Sequence, residues 1–598
     1  MNRSTPWLRL LAALLAFGLV AAACGGDSDD GDSGDTDSAE ADGVEAGGDD
    51  DGGDEGGDGG EDLGAQGPEE DVVEGGDGPV YGGTLRYGLE AETNTGYDIA
   101  TSNCAISCIM VMRSIMEPLL AENQDGEVVP FLAQDFFPVP AEELAEGQVP
   151  FGVWDFVLRD GITFHDGSPL DAEAAVKSML HIKNGPVSGG TFAFLHSAEA
   201  IDAMTMRVFM APPGGEPGTF PWASFPTFLT DRAGYVHAPS MIDDPEGPLN
   251  PVGTGPFVFD SWTPNETLTV VRNDNYWHSD ADGNAFPYLD AIEWVMLPDK
   301  QARDQALLAG DIDIQHTSFP DSIVAFREEE SIDIIEADDF GETTYIMINH
   351  DDAVMADLRV RQALAHCLDR DLVNELRNEG IARVADGLFS PLQLGFLEDP
   401  GLPQFDPDAG MALWDEYVAE NGVPELTFGT TTVPFNLGTA ELITAQWDQN
   451  CGIEAGISQI EQGAFITEAL VGNFQMFLWR NHAGTDPDQQ FLWWWSETAA
   501  PLGEVALNFG RFRVPEIDEA LFGIRTQADP AIRQAAAEGI NQIMAAQVLN
   551  IPTSFTIWGL PHDPSVQQLT GFPLPEGDEM FGIIAGRHAV AQIYLAEG

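Results

Sequence analysis

WDFVLRDGITFHDGSPLDAEAAV, residues 154–176, is the stretch that decides the fold class of this chain. Together with Val153 it reads as a hairpin over 153–167. Strand side chains alternate with a period of two, so Trp154, Phe156 and Leu158 share one face. Asp171 is a helix-capping residue type ahead of an apolar run, so DAEAAVKSMLHI starts a helix there. A strand passing into a helix within so few residues points to α/β architecture. His165 and Asp166 lie inside the stretch, but a catalytic dyad needs a nucleophile. Neither G-x-S-x-G nor H-E-x-x-H occurs anywhere, so no catalysis is expected at His165.

The same alternation continues outward. GGTLRYGLE at 82–90 reads as a strand after a glycine turn. RVRQALAHCLDRDLV at 359–373 reads as one amphipathic helix with Val360, Ala363, Leu364, Cys367 and Leu368 on a stripe; Arg361 and Asp369 are expected to pair and cap it. A further helix from about Thr439 to Asn450 stops at Gly452 and leads into the strand IEAGIS. About 520 residues follow Asp77, too many for one core, so about three lobes are expected. No second low-complexity linker separates them, which implies a chain that passes between lobes more than once.

The amino terminus carries an address. Arg3 and Arg9 precede an apolar run from Leu10 to Val20, then Ala21, Ala22, Ala23 and Cys24. The run is shorter than the roughly 20 apolar residues a permanent span needs, and small residues precede the cysteine as a signal peptidase site requires. From Asp27 to Asp77 there are 22 acidic residues and no Lys or Arg on a Gly and Ser background. Such a segment buries too little apolar surface to fold and reads as a tether, with a reach of about 40 Å on average and about 170 Å fully extended. The whole chain carries −76, of which −56 belongs to residues 79–598. A nucleic-acid partner is therefore excluded, as is a basic face for anionic lipid. Only three lysines occur, Lys177, Lys183 and Lys300. A cationic ligand would suit that balance, but a salt-tolerant surface or a G+C-rich genome explains it more simply.

VAAAC at 20–24 resembles the lipobox of bacterial lipoproteins, which implies a diacylglyceryl group on Cys24 and anchoring by two or more acyl chains. An ordinary signal peptide with an incidental cysteine is the plainer alternative. The folded part carries a second resemblance. After residues 154–176 come PVGTGPFVF at 251–259, VRNDNYW at 271–277, YLDAIEWVMLPD at 288–299, LLAGDIDI at 307–314, RVRQALAHCLDR at 359–370, LITAQWDQNCGIEA at 442–455 and IPTSF at 551–555. In that order they are similar to the family 5 extracellular solute-binding proteins, the peptide, dipeptide and nickel receptors of ATP-binding-cassette importers. The resemblance covers about Gly82 to Gly571. It implies an α/β, two-lobed periplasmic-binding-protein-like fold of type II with an extra domain, closing by a hinge around ligand. The implied division is 1–23 signal peptide, 24–78 tether, 79–115, 231–298 and 531–598 lobe I, 116–230 extra domain and 299–530 lobe II. Most of the motifs read as structural: Gly253 and Gly255 allow tight turns beside Pro256.

The segment expected to face ligand is NFQMFLWRNHAGTDPDQQFLWWW at 473–495, a strand followed by a turn toward a helix. Ligands of open α/β sheets gather at such strand ends. In the peptide receptors an Asp three residues after the tryptophan grips the ligand's amino terminus. Here that offset from Trp479 is His482, and Asp486 and Asp488 lie where the family has a mainly structural acid. Arg480 and His482 are instead candidates for a carboxylate or polar oxygen and Trp479 for a stacking face, with Asn481 between them and Trp494 beyond. A salt bridge from Arg480 to a nearby acid is the plainer reading. Asn94, Tyr97 and Asn103 follow the first strand, where loops border the family pocket.

Removing Cys24 leaves Cys104, Cys108, Cys367 and Cys451, which allow three pairings. Cys104 with Cys108 and Cys367 with Cys451 is favoured; a metal at the first pair fits poorly because no His cluster accompanies it. No metal and no cofactor is expected. The function implied is a monomeric, lipid-anchored receptor on the extracellular face of the cell membrane, periplasmic where an outer membrane exists. It captures a short peptide or other small solute for permease and ATPase subunits. A ligand sensor without import is the alternative, and a secreted hydrolase a more distant one.

Overall fold

Three main sheets organise the folded part. The structure, a computed structural model, describes residues 79–93, 95–102 and 106–596. The leader, the tether and Cys24 lie outside the described residues. A seven-stranded mixed sheet runs in the order Asp333–Ala337, Trp558–His562, Ile314–Gln315, Thr84–Leu89, Ala291–Met296, Thr267–Arg272 and Phe257–Thr263. Thr84–Leu89 is parallel to both of its neighbours. A five-stranded sheet runs Ala455–Ile460, Leu426–Thr431, Met476–Asn481, Thr343–Ile348 and Asn550–Phe555. The third is a four-stranded antiparallel sheet, Ala133–Pro138, Val153–Leu158, Thr205–Met210 and Leu195–Ala200.

Among the described residues the chain moves between the seven-stranded and five-stranded sheets twice, through 338–342 and back through 556–557. The strands Ile314–Gln315 and Asp333–Ala337, expected in the second lobe, pair in the seven-stranded sheet. Asn550–Phe555, expected in the first, pairs in the five-stranded one.

Local expectations hold where the partner is near in sequence. Asp171 accepts from the Ala174 amide and caps a helix over Ala172–Asn184. Gly452, in left-handed backbone, ends the helix Pro434–Cys451, which begins earlier than expected at a proline suited to a first turn. Cys367 and Cys451 form a disulfide with Cα atoms 6.0 Å apart, tying that helix to the end of Leu358–His366. Cys108 is also disulfide-bonded, and Cys104 lies outside the described residues.

Three local expectations fail. Residues 153–167 do not form a hairpin: Val153–Leu158 is one central strand whose partners lie at 133–138 and 205–210. The helix expected over 359–373 is two, Leu358–His366 and Arg370–Arg377, because Asp369 accepts from the Leu372 amide and caps the second. Arg361 does not pair with Asp369; it is buried and donates to the carbonyls of Met355, Ala356, Gln547 and Val548. Gly253 and Gly255 serve a close approach: an added Cβ at either would stand within 2.6 Å of the Ile115 carbonyl oxygen, where no real Cβ fits.

One buried cluster joins the seven-stranded and four-stranded sheets and includes Tyr87, Trp294, Phe156 and Trp222. A second lies on one face of the five-stranded sheet, where Ile346, Ile348, Met476 and Leu478 pack with Trp447. Among the described residues no helix is long and apolar enough to cross a membrane.

Candidate functional site

The strand Met476–Asn481 carries the site because its end reaches toward the seven-stranded sheet. Its register with Thr343–Ile348 pairs Arg480 with Thr344 and Trp479 with Tyr345. Consecutive strand residues point to opposite faces, so Arg480 and Trp479 leave the strand on different sides. Arg480 donates from Nη1 to Ser318 Oγ at 2.9 Å, just past the strand Ile314–Gln315. Its Nε lies 3.3 Å from Glu342 Oε2, in the first crossing segment. Its guanidinium sits 5.6 Å from the ring centre of Trp558, on the seven-stranded sheet, within cation–π range.

The two crossings also touch each other, since the Thr556 amide donates to the Glu342 carbonyl at 2.7 Å. Arg480 therefore bridges the two sheets where the chain passes between them.

Polar atoms without partners gather here. Trp558 Nε1, Thr556 Oγ1, His316 Nδ1 and Glu342 Oε2 are buried and make no hydrogen bond among the described residues, although Glu342 Oε2 faces the Arg480 charge. The His316 ring meets Trp558 edge-on at 5.6 Å, and its Nε2 lies 3.4 Å from Ser107 Oγ. Burial first, and then the Arg303 charge, push the His316 imidazole down to about 3, so it is neutral near pH 7.

The sequence candidates are distributed unevenly around this group. Trp479 is partly buried, stacked on Phe465 at 5.3 Å and met edge-on by Phe509 at 5.5 Å. Asn481, also partly buried, stands opposite Thr343 at the strand end. His482 is buried with left-handed backbone (φ 76°) and stacks on Tyr345. Both its nitrogens are engaged, Nε2 with the Tyr345 hydroxyl at 3.0 Å and Nδ1 with Gln490 Oε1 at 2.9 Å. Burial pushes its pKa down to about 4, against the pull of the Gln490 bond. Trp494 is buried between His482 and Phe389.

Tyr97 belongs elsewhere. It packs on Trp262, and among the described residues no hydrogen bond or ring contact joins it to Trp479 or Arg480. Asn94 and Asn103 lie outside the described residues. Ser318, Glu342, Thr556 and Trp558 complete the candidate group around Arg480 and were not singled out from the sequence.

Neighbouring polar groups are structural. Asp488 is fully buried and accepts from Arg525 Nε at 2.8 Å, from Trp222 Nε1 at 3.0 Å and from Ser224 Oγ. The Arg525 guanidinium sits among Phe491, Trp222, Phe194 and Phe228. Asp486 pairs with Arg533. His165 faces backbone on both ring nitrogens, with Nε2 3.0 Å from the Gly255 carbonyl oxygen and Nδ1 3.4 Å from the Gly253 amide. A cavity of about 740 Å³ opens on the helix Ala172–Asn184 and shares no residue with the Arg480 group. Its Lys177 is already paired with Asp243, so volume alone does not mark the site.

Comparison with known proteins places the chain in a family. Residues 127–501, well over half the chain, match the family described as bacterial extracellular solute-binding proteins, family 5 Middle. The chain belongs to that family. This family 5 protein is 25% identical over 404 residues to the dipeptide-binding protein of Escherichia coli strain K12, covering 63% of this chain and 72% of that one. It is also 25% identical to the nickel-binding periplasmic protein of the same strain, over 74% of this chain and 83% of that one.

Its fold is similar to that of the periplasmic binding protein DppA from Helicobacter pylori in complex with the peptide STSA. The TM-score is 0.70 at 20% identity, over 87% of this chain and 99% of that one. The oligopeptide-binding protein AppA from Bacillus subtilis, in complex with a nonapeptide, gives a TM-score of 0.70 at 19% identity, over 87% and 100%. The family 5 protein thus has the two-lobed α/β fold of periplasmic binding proteins, and its family is one of binding proteins, not enzymes.

Proposed function

We propose that this protein is the solute receptor of an ATP-binding-cassette importer, anchored by lipid at Cys24 and held clear of the membrane by the tether that follows. It captures a short peptide or other small solute between its lobes and delivers it to the permease and ATPase subunits. The lobes divide at 338–342 and 556–557, with an extra domain built on the four-stranded sheet. The observation that carries the reading is the Arg480 group, which couples the two sheets at those crossings. A solute touching both sides favours the closed arrangement by its differential affinity, and the closed arrangement offers the permease a surface that the open one lacks.

Trp479 supplies one wall of the capture site. The family match and the peptide-bound structural neighbours support the peptide reading, and the nickel-binding relative keeps other solutes within range. A thermal-shift screen of short peptides and small solutes tests capture, because a ligand of the native state raises apparent stability. A subset should raise the melting temperature, and membranes should retain the protein but lose Cys24→Ser. Turnover of the added compounds, or equal membrane retention of the variant, would contradict the proposal.

A further inference from the structure

We propose that Trp222 and Ser224 form a latch that engages Asp488 and Arg525 as the lobes close, so that the domain built on the four-stranded sheet positions the capture site without touching solute. The inference rests on the receptor reading above and adds the device that holds its closed arrangement. Trp222 and Ser224 follow the strand Thr205–Met210 of the four-stranded sheet, whereas Asp488 and Arg525 lie between Met476–Asn481 and Asn550–Phe555 of the five-stranded one. Asp488 Oδ2 accepts from Trp222 Nε1 at 3.0 Å and from Ser224 Oγ. The Arg525 carbonyl accepts from the Ala223 amide at 2.7 Å. The seam continues where Gln489 Nε2 donates to the Thr227 carbonyl at 3.2 Å and Thr485 Oγ1 to Glu122 Oε1 at 2.6 Å.

Opening of the lobes must part this seam. The four-stranded domain is bonded to the seven-stranded side: the Leu119 amide donates to the Gly234 carbonyl and the Val236 amide to the Glu117 carbonyl, both at 3.0 Å. The buried Glu117 carboxylate also accepts from Thr254 Oγ1, the Tyr276 hydroxyl and Trp277 Nε1. Among the described residues the chain passes to and from the five-stranded sheet at 338–342 and 556–557. Bending at those crossings therefore carries Asp488 and Arg525 away from Trp222 and Ser224.

The chemistry suits a seam that opens and closes. Asp488 and Arg525 lie on the same side of it, joined by a 2.8 Å bond from Arg525 Nε, so parting the seam leaves no buried charge without its partner. Water then replaces the Trp222 and Ser224 donors. On closing, both donors return to a carboxylate that is fully buried, and the Arg525 guanidinium sits 4.4 Å from the ring centre of Trp222. A contact made only in the closed arrangement shifts the population toward it, and affinity for every solute rises by one common factor.

The double variant Trp222→Phe/Ser224→Ala tests this, because it removes both donors and keeps an aromatic ring in the seam. Losing two hydrogen bonds to a charged group should raise the open-to-closed ratio on the order of tenfold or more. Small-angle X-ray scattering of the purified full-length protein should show the variant more expanded than the parent. Hydrogen exchange should quicken at 222–228, at 485–491 and at the two crossings, while the strands Thr84–Leu89 and Thr343–Ile348 keep parental rates. Ser224→Ala alone should give a smaller change in the same direction, and urea unfolding confirms that both variants fold. Solutes that raise the parent's melting temperature should bind the double variant more weakly by one common factor, with their ranking unchanged.

Parental scattering, parental exchange at the crossings, or exchange that quickens everywhere alike would each overturn the latch and leave the receptor standing. Scattering and exchange need no solute, so a parent that binds nothing in the thermal-shift screen defeats the receptor reading while the crossings still decide the latch.

Discussion

His482→Asn should remove about 2 kcal/mol of acid sensitivity from the folded protein. In the unfolded chain a histidine titrates near 6.5, whereas in the fold burial pushes His482 down to about 4. At pH 8 neither state binds the proton. At pH 5 the unfolded state is almost fully protonated at this residue and the native state is mostly neutral. The unfolded state therefore binds more protons, and stability falls as pH drops through 6.5 toward 4. Linkage between these two values gives a loss of about 2 kcal/mol at pH 5 relative to pH 8.

His316, His350 and His588, each pushed by burial to about 3, add to acid sensitivity in parent and variant alike, so their shares cancel in the comparison. Asparagine is chosen because it tolerates the positive φ at this position. The lost hydrogen bonds to Tyr345 and Gln490 lower stability at every pH by about 1 kcal/mol each, a constant offset. Urea unfolding at pH 8 and pH 5 on both proteins is the assay. An equal pH 8 to pH 5 loss in both would refute the claim that His482 is buried in its neutral form.

Four other outcomes follow. Asp488→Asn leaves Arg525 buried without its counter-charge and should lower stability by about 3–5 kcal/mol in denaturant titration. Replacing Cys367 and Cys451 by Ala opens a link across 84 residues and should lower stability by about 4–5 kcal/mol on the chain-entropy account. Gly410→Ala should disturb the same link, because an added Cβ would stand 2.4 Å from Cys367 Sγ; free-thiol titration should find both cysteines partly reactive. Trp479→Ala should weaken binding of a screened solute about tenfold, roughly 1.4 kcal/mol by calorimetry, and unchanged affinity would remove it from the capture site.

How much was legible from sequence depended on where each residue's partner lies along the chain. The Asp171 cap and the Gly452 stop follow from local chemistry, and the Cys367–Cys451 link is the favoured one of three pairings that four cysteines allow. The 153–167 stretch misleads because a strand's alternation says nothing about which strand pairs with it, and its partners come from 133–138 and 205–210. Asp369 was recognisable as a cap, but whether it ends one helix or starts the next is decided by backbone geometry.

At the candidate site, Arg480 was singled out by its place after Trp479, and the salt bridge expected as its plainer role is present, to Glu342. Thr556 and Trp558 were not, since ordinary strand residues acquire a role only when a distant pass of the chain brings Arg480 beside them. His482 occupied the expected offset, yet Tyr345 and Gln490, from other parts of the fold, withdraw it into the interior.

Mass spectrometry of the protein, first under native conditions and then after denaturation, tests solute capture most directly. The account predicts one small molecule per chain, released on denaturation and depleted in Arg480→Gln. A native mass equal to the bare polypeptide, with nothing released and no gain after incubation with the screened peptides and small solutes, would contradict it.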